Sequence, residues 1–362
     1  MTTGTLSPRE RVLLALDHWT TDRVPIAMVC AGINPPARRV LEAYLQAHRG
    51  ISSEQYLTPL IDIAGCGPAY VGPTREPGQD IWGVHRKEQS YGDGAYDEID
   101  YYPLAEAQTV ADLERHPWPS ADWFDYSVIP AQIQAEREGL NRALMIANGN
   151  IYESSWYMRG FEQMFLDFVL NPELVHGLFR RVTDFYQAHF RKLLEAGAKA
   201  VGGPIDLAFT ADDVGGQHGL LMSLPMWEKF LKPYHTELNA TVHEFGAKIL
   251  YHSDGSVTEA VPGLLEMGID CLQACQFSAD NMDPVFLKET YGDRLCFEGG
   301  ISVQTTLPFG TVEDVIQEVQ DRVRVLAKDG GYLLGPSHAI QAGTPPENIV
   351  AMFDTARDCP LP

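Results

Sequence analysis

The sequence predicts one α/β domain over residues 1–362, a (β/α)8 TIM barrel with an N-terminal helical extension and a hairpin excursion. Three observations carry this reading. Short apolar strands alternate with helical stripes from about residue 142 onward, the alternating strands number seven or eight, and no G-x-G-x-x-G follows the first strand. Strands alternating with helices imply a parallel sheet. That many units favour a closed barrel over a doubly wound sheet, whose usual signature is the glycine-rich loop.

Each element has its own signal. Ser7-Pro8-Arg9-Glu10 is a capping box with proline at the first helical position, and the helix behind it places Val12, Leu13 and Leu16 on one face. An apolar strand follows at 24–29, with Pro25 near its start, where a missing N–H is tolerated. Residues 80–101 combine aromatics, glycine and charge and read as a hairpin outside the barrel. Residues 113–126 read as irregular surface structure. Further strands are expected at 143–147, 207–210, 248–251, 269–273, 295–297 and 332–334, with an eighth near 200–203. Helices are expected at 152–170, 172–196, 225–245, 258–267, 284–291, 312–327 and 346–357. The stripe Val312, Val315, Ile316, Val319 and Val323 shows the helical period directly.

Composition excludes several classes. A net charge of −22 opposes binding to nucleic acid or to anionic membrane, both of which need an excess of Lys and Arg. No apolar run approaches the ~18 to 20 residues of a membrane span, and Met1–Glu10 is polar, so a cytoplasmic protein is expected. The six cysteines, Cys30 among them, form no C-x-x-C pair. Several sit in apolar segments and read as core residues, with no disulfide framework.

Barrel chemistry sits at the C-terminal ends of the strands. Those ends deliver Asn148 and Asn150, then Asp212 and Asp213, then His252 and Asp254, then Gln273 and Gln276, then Glu298, and last Ser337 and His338. His252 and Asp254 share a face if the strand continues, and with His338 they make a three-ligand zinc set with an open position. Glu298 is a candidate fourth ligand or supporting partner. On the alternative reading His252 is a general acid and Asp254 a loop cap. Asp212 and Asp213 face opposite ways in extended chain, so one enters the pocket as a catalytic carboxylate, or both cap the next segment. Arg38 is a candidate for a substrate carboxylate or a solvated helix residue. Asn148, Tyr157 and Gln276 complete the candidate substrate contacts.

These residues carry a family resemblance. Arg9-Glu10-Arg11-Val12 with Asp22-Arg23-Val24-Pro25, the run Trp156-Tyr157-Met158-Arg159-Gly160-Phe161-Glu162, Asp212-Asp213-Val214-Gly215-Gly216-Gln217, His252-Ser253-Asp254-Gly255 and Gly335-Pro336-Ser337-His338 together resemble the uroporphyrinogen-decarboxylase-like superfamily. The resemblance implies the barrel. It also implies one of two chemistries. The decarboxylating branch carries an Arg-Gln-Ala-Gly-Arg-Tyr motif for substrate carboxylates, whereas residues 30–39 here read Cys30-Ala31-Gly32-Ile33-Asn34-Pro35-Pro36-Ala37-Arg38-Arg39. The corrinoid-linked methyltransferase branch uses zinc on a His-x-Cys pair and a later Cys, and the matching positions here are His252, Asp254 and His338. Harder ligands leave zinc a stronger Lewis acid, suited to a methoxylated rather than a thiol substrate.

The leading expectation is a zinc-dependent methyltransferase passing a methyl group to a corrinoid protein or cofactor. In it His252, Asp254 and His338 hold the metal, while Asp212, Asp213, Glu298 and His338 are the catalytic candidates. The competing expectations are a metal-independent decarboxylase and a non-catalytic corrinoid or tetrapyrrole binder. The resemblance also admits a homodimer.

Overall fold

The computed structural model describes residues 6–30, 32–91 and 94–362; of the expected 1–362 domain, residues 1–5, 31, 92 and 93 lie outside the described residues. Seven strands form one parallel sheet in sequential order: β1 (Ile63–Gly65), β2 (Ala143–Asn150), β3 (Leu207–Ala211), β4 (Lys248–His252), β5 (Cys271–Gln273), β6 (Cys296–Ile301) and β7 (Tyr332–Pro336). Segment 24–29 closes it. Ala27 N–H donates to Leu334 O and Leu334 N–H to Pro25 O, each at 2.8 Å, while Asp62 N–H donates to Ile26 O at 2.8 Å. The extended segment thus pairs with β7 on one side and with the entry to β1 on the other, and the sheet curls into a barrel.

An ionic clamp holds this seam. Asp62 accepts from Arg11 Nη1 at 2.6 Å, Arg23 Nη1 at 2.8 Å, Arg23 Nη2 at 2.9 Å and Ile26 N–H at 2.7 Å. The motif Arg9-Glu10-Arg11 with Asp22-Arg23 therefore ties the first helix, α1 (Pro8–Leu16), to the closing segment. Helix α1 begins at the Ser7–Glu10 capping box and turns Val12, Ala15 and Leu16 into an apolar cluster with Ala27, Ile63, Leu207, Leu250 and Leu333. Ala15 O accepts from Gly331 N–H, one residue ahead of β7, so α1 plugs the barrel at the N-terminal ends of its strands. The opposite end is left for the site.

The expected eighth strand at 200–203 is not one. Those residues form a turn in which Val201 is 91% exposed, and the missing strand is β1. Its three residues run straight into Cys66-Gly67-Pro68, too short to show an alternating pattern. The expected helix 152–170 divides into Ile151–Arg159 and Phe161–Leu170 at Gly160, whose φ of +95° breaks the helical course. The expected helix 225–245 divides into Leu224–Phe230 and Lys232–His243, with Pro233 lacking the N–H needed to continue the ladder. The hairpin is observed as His85–Tyr91 against Gly94–Tyr101. Among the described residues no helix is long and apolar enough to cross a membrane.

Candidate metal centre and active site

Three strand ends converge on one point. Cys30 follows the closing segment, His252 ends β4 and His338 follows β7, and one ligand atom from each lies within 4.8 Å of the others. Cys30 Sγ stands 3.9 Å from His252 Nε2. The acidic side of the same point is Asp213 and Asp254. Asp213 Oδ1 lies 3.4 Å from His252 Nε2, Asp254 Oδ1 lies 4.0 Å from it, and Asp254 Oδ2 lies 3.7 Å from His338 Nε2.

Local constraints aim these groups. Gln273 Oε1, at the end of β5, accepts from His252 Nδ1, which fixes the tautomer and turns Nε2 toward Cys30. Cys30 has φ of +48°, a left-handed conformation rare outside glycine, so its thiol is delivered at a bend held against its backbone preference. Asp254 N–H donates to Asp213 Oδ1 at 2.9 Å, which pins the two carboxylates side by side. Asp254 Oδ1 is buried without a hydrogen-bond partner.

The electrostatics match this crowding. Burial opposes ionisation of the Cys30 thiol, yet His252 and His338 bring it down to about 7. Burial likewise disfavours the His252 cation, but Cys30 and then Asp213 and Asp254 outweigh it and raise the imidazole to about 10. His338 is raised, first by Cys30. Burial raises Asp254, with Asp213 adding repulsion. At neutral pH the site is thus a partly ionised Cys30 thiol facing a protonated His252, with His338 beside it, edged by two carboxyls. One sulfur and two imidazole nitrogens around a common point, beside an orphaned carboxylate oxygen, fit a zinc-type ion.

The structure sorts the sequence candidates. His252, His338, Asp254 and Asp213 meet. Asp212 does not join them: it is fully buried in the wall and accepts from the N–H groups of Tyr152 and Glu153 at 2.8 Å, of Ile151 at 3.2 Å, and from His235 Nε2 at 2.5 Å. It caps helix Ile151–Arg159, as adjacent side chains on an extended strand end require when one faces inward. Arg38 is exposed on helix Pro35–Arg49, where its Nε donates to Ser53 Oγ, and takes no part in the cluster. Glu298 is wholly buried in β6 with both oxygens unpartnered, and burial raises it to about 8. Gln276 edges a cavity of about 240 Å³ together with Asp254 and His338. Asn148, with φ of +77°, and Tyr157 line a second cavity of about 530 Å³.

Two contributors escape sequence reasoning. Cys30 looks like one more cysteine in apolar surroundings, and its only signal is its place at a barrel strand end. Glu153 lies in the first turn of its helix, where it accepts from Asn150 Nδ2 at 2.6 Å and from Tyr157 Oη at 2.8 Å. Burial, then repulsion by Asp213 and Asp212, raises it to about 7.

The uroporphyrinogen decarboxylase (URO-D) family model matches residues 149–359, more than half of the chain. The chain belongs to this family. The matched span carries every member of the cluster except Cys30. Among curated relatives, a methylated-thiol–coenzyme M methyltransferase of Methanosarcina mazei is 25% identical over 206 residues, 57% of this chain and 50% of that protein. A uroporphyrinogen decarboxylase of an Anaeromyxobacter species is 23% identical over 196 residues, 54% of this chain and 51% of that protein. The chain spans about half the length of the curated relatives it matches. A solved methyltransferase from Methanosarcina mazei superposes with a TM-score of 0.66 at 19% identity, covering 98% of this chain and 99% of that one, which shows a shared fold.

Proposed function

We propose that this URO-D family member is a zinc-dependent methyltransferase that takes a methyl group from a small methoxylated substrate and passes it to a corrinoid protein. The observation that carries the reading is the convergence of Cys30, His252 and His338 from three strand ends within 4.8 Å. These residues would hold the metal, with Asp254 beside them; bound there, zinc supplies Lewis acidity to a substrate oxygen. The relatives that match include a methyltransferase, which supports the direction of the chemistry.

The chain's own groups prepare the transfer. Gln273 holds the His252 ring so that Nε2 alone faces the centre. Cys30, brought down to about 7 by His252 and His338, is partly thiolate at neutral pH and so ready to ligate. Glu153, at about 7, stands ready to exchange a proton with an oxygen that leaves after losing its methyl group. Tyr157 and Asn150 keep that carboxyl fixed.

Elemental analysis with an activity assay tests the proposal. Zinc-loaded protein, a methoxybenzene donor and a reduced corrinoid should give a methylated corrinoid visible by its absorption spectrum. Cys30→Ser and His252→Ala should each lower the rate at least ~100-fold, the scale of losing a ligand or its orientation. Activity that survives both substitutions and exhaustive chelation contradicts the proposal.

A further inference from the structure

The hairpin and the loop before it have no part in closing the barrel, yet they roof the larger cavity. Trp82, 5% exposed, forms one wall and meets Phe185 edge to face at 5.0 Å between ring centroids. Tyr157 forms another, with the Arg86 guanidinium 4.8 Å above its ring. Asn148 and Asn150 supply polar groups at the end of β2. At about 530 Å³, with aromatic walls and a few convergent polar groups, the space has the build of a small-molecule site.

The charge at its rim is unusual for this molecule. In a chain of net charge −22, two arginines and one carboxylate line the cavity: Arg75, Arg86 and Asp80. Only Nη1 of Arg86 has an acceptor among the described residues, Asp80 Oδ2 at 2.7 Å, so the rest of its fork is uncommitted. Arg75 has no carboxylate within ion-pair distance among the described residues; it lies 4.6 Å over the Tyr70 ring and donates to Gln79 O, which holds its head in place. His189, also in the lining, is neutral at physiological pH because burial lowers it to about 4. The lining therefore carries one net positive charge. On the far side, Asn150 and Tyr157 both donate to Glu153, so the cavity abuts the acidic edge of the metal centre.

We propose that this cavity binds an aromatic monocarboxylate, its ring between Trp82 and Tyr157 and its carboxylate at Arg75 and Arg86. That such a ligand is also the methyl donor rests on the function proposed above; that it binds does not. A planar ring suits the aromatic walls, and a single carboxylate neutralises the one uncompensated charge with charge-assisted hydrogen bonds.

Calorimetric titration of the full chain, with and without zinc, tests this using 4-methoxybenzoate, benzoate, 4-methoxybenzamide and cyclohexanecarboxylate. The aromatic acids should bind saturably, and the amide and the non-aromatic acid should bind at least ~10-fold more weakly. Arg75→Gln, at an exposed position, and Arg86→Gln should each weaken the acids ~10-fold while leaving the amide unchanged. No saturable binding of any aromatic acid, equal binding of acid and amide, or no effect of either substitution overturns the proposal. Acid binding without methyl transfer would sustain this site and defeat the proposed reaction. Methyl transfer from neutral donors alone, with no acid binding, would do the reverse.

Discussion

Asp212 and Cys30 exchange the roles their residue types suggest. Asp212 is an ionisable group at a strand end, yet its oxygens are taken up by three backbone N–H groups and His235 inside the wall. Asp212→Asn replaces an acceptor-only group with one that presents N–H to N–H donors, and it strips the buried imidazole of its partner. The expected cost is about 3 to 5 kcal/mol, read as a lower midpoint in chemical denaturation, with zinc affinity of the folded fraction retained. A stable variant that has lost its metal would instead place Asp212 in the site. His189 makes a pH prediction. Its imidazole titrates near 6.5 in the unfolded chain and near 4 in the fold, because burial disfavours the cation. Between those values the unfolded chain holds the extra proton. The stabilisation is therefore complete above about 6.5 and is lost as pH falls toward 4, by roughly 3 kcal/mol at most. His189→Phe should flatten melting temperature against pH across that window; parallel curves for the two proteins would contradict this. Sequence alone identifies strand ends and so finds His252, Asp254 and His338. It cannot say which of Asp212 and Asp213 faces inward, because that depends on the register of β3. Nor does it mark Cys30, whose chemistry appears only when distant strand ends are brought together.

At the level of elements, the seam decides whether Cys30 reaches its partners. Segment 24–29 is held by a few backbone hydrogen bonds and by Asp62, which gathers Arg11, Arg23 and the Ile26 N–H. Asp62→Asn should lower stability by about 3 to 5 kcal/mol through the unpaired arginines. Because Ile26 lies four residues before Cys30, the same change should also weaken zinc binding ~10-fold or more, as loss of outer support at metal sites does. Lower stability with unchanged zinc affinity would show that the seam does not position the thiol. Elements with a strong period, such as helix Val312–Leu326, are legible from sequence to within a residue. Strand β1 is not, because three residues carry no period. The helices split at Gly160 and Leu231 reflect local backbone chemistry inside stripes whose apolar pattern continues across the break.

For the whole molecule, the barrel separates stability from chemistry. Helix α1 and the apolar cluster around Val12 and Leu207 fill the N-terminal end, while polar groups from successive strands gather at the other. Arg75 and Arg86, which line the larger cavity beside the metal centre, come from the hairpin and the loop before it, elements that the barrel topology does not require. The family model covers the half of the chain bearing His252, Asp254 and His338, and Cys30 joins them from the unmatched half. Together these two parts of the chain complete the proposed metal site. X-ray absorption at the zinc edge of the stoichiometrically loaded full chain tests it directly. The shell should hold one sulfur with nitrogen or oxygen for the rest, and no sulfur in Cys30→Ser. A shell of nitrogen and oxygen alone in the wild-type protein, or failure to bind zinc at one equivalent, would contradict it.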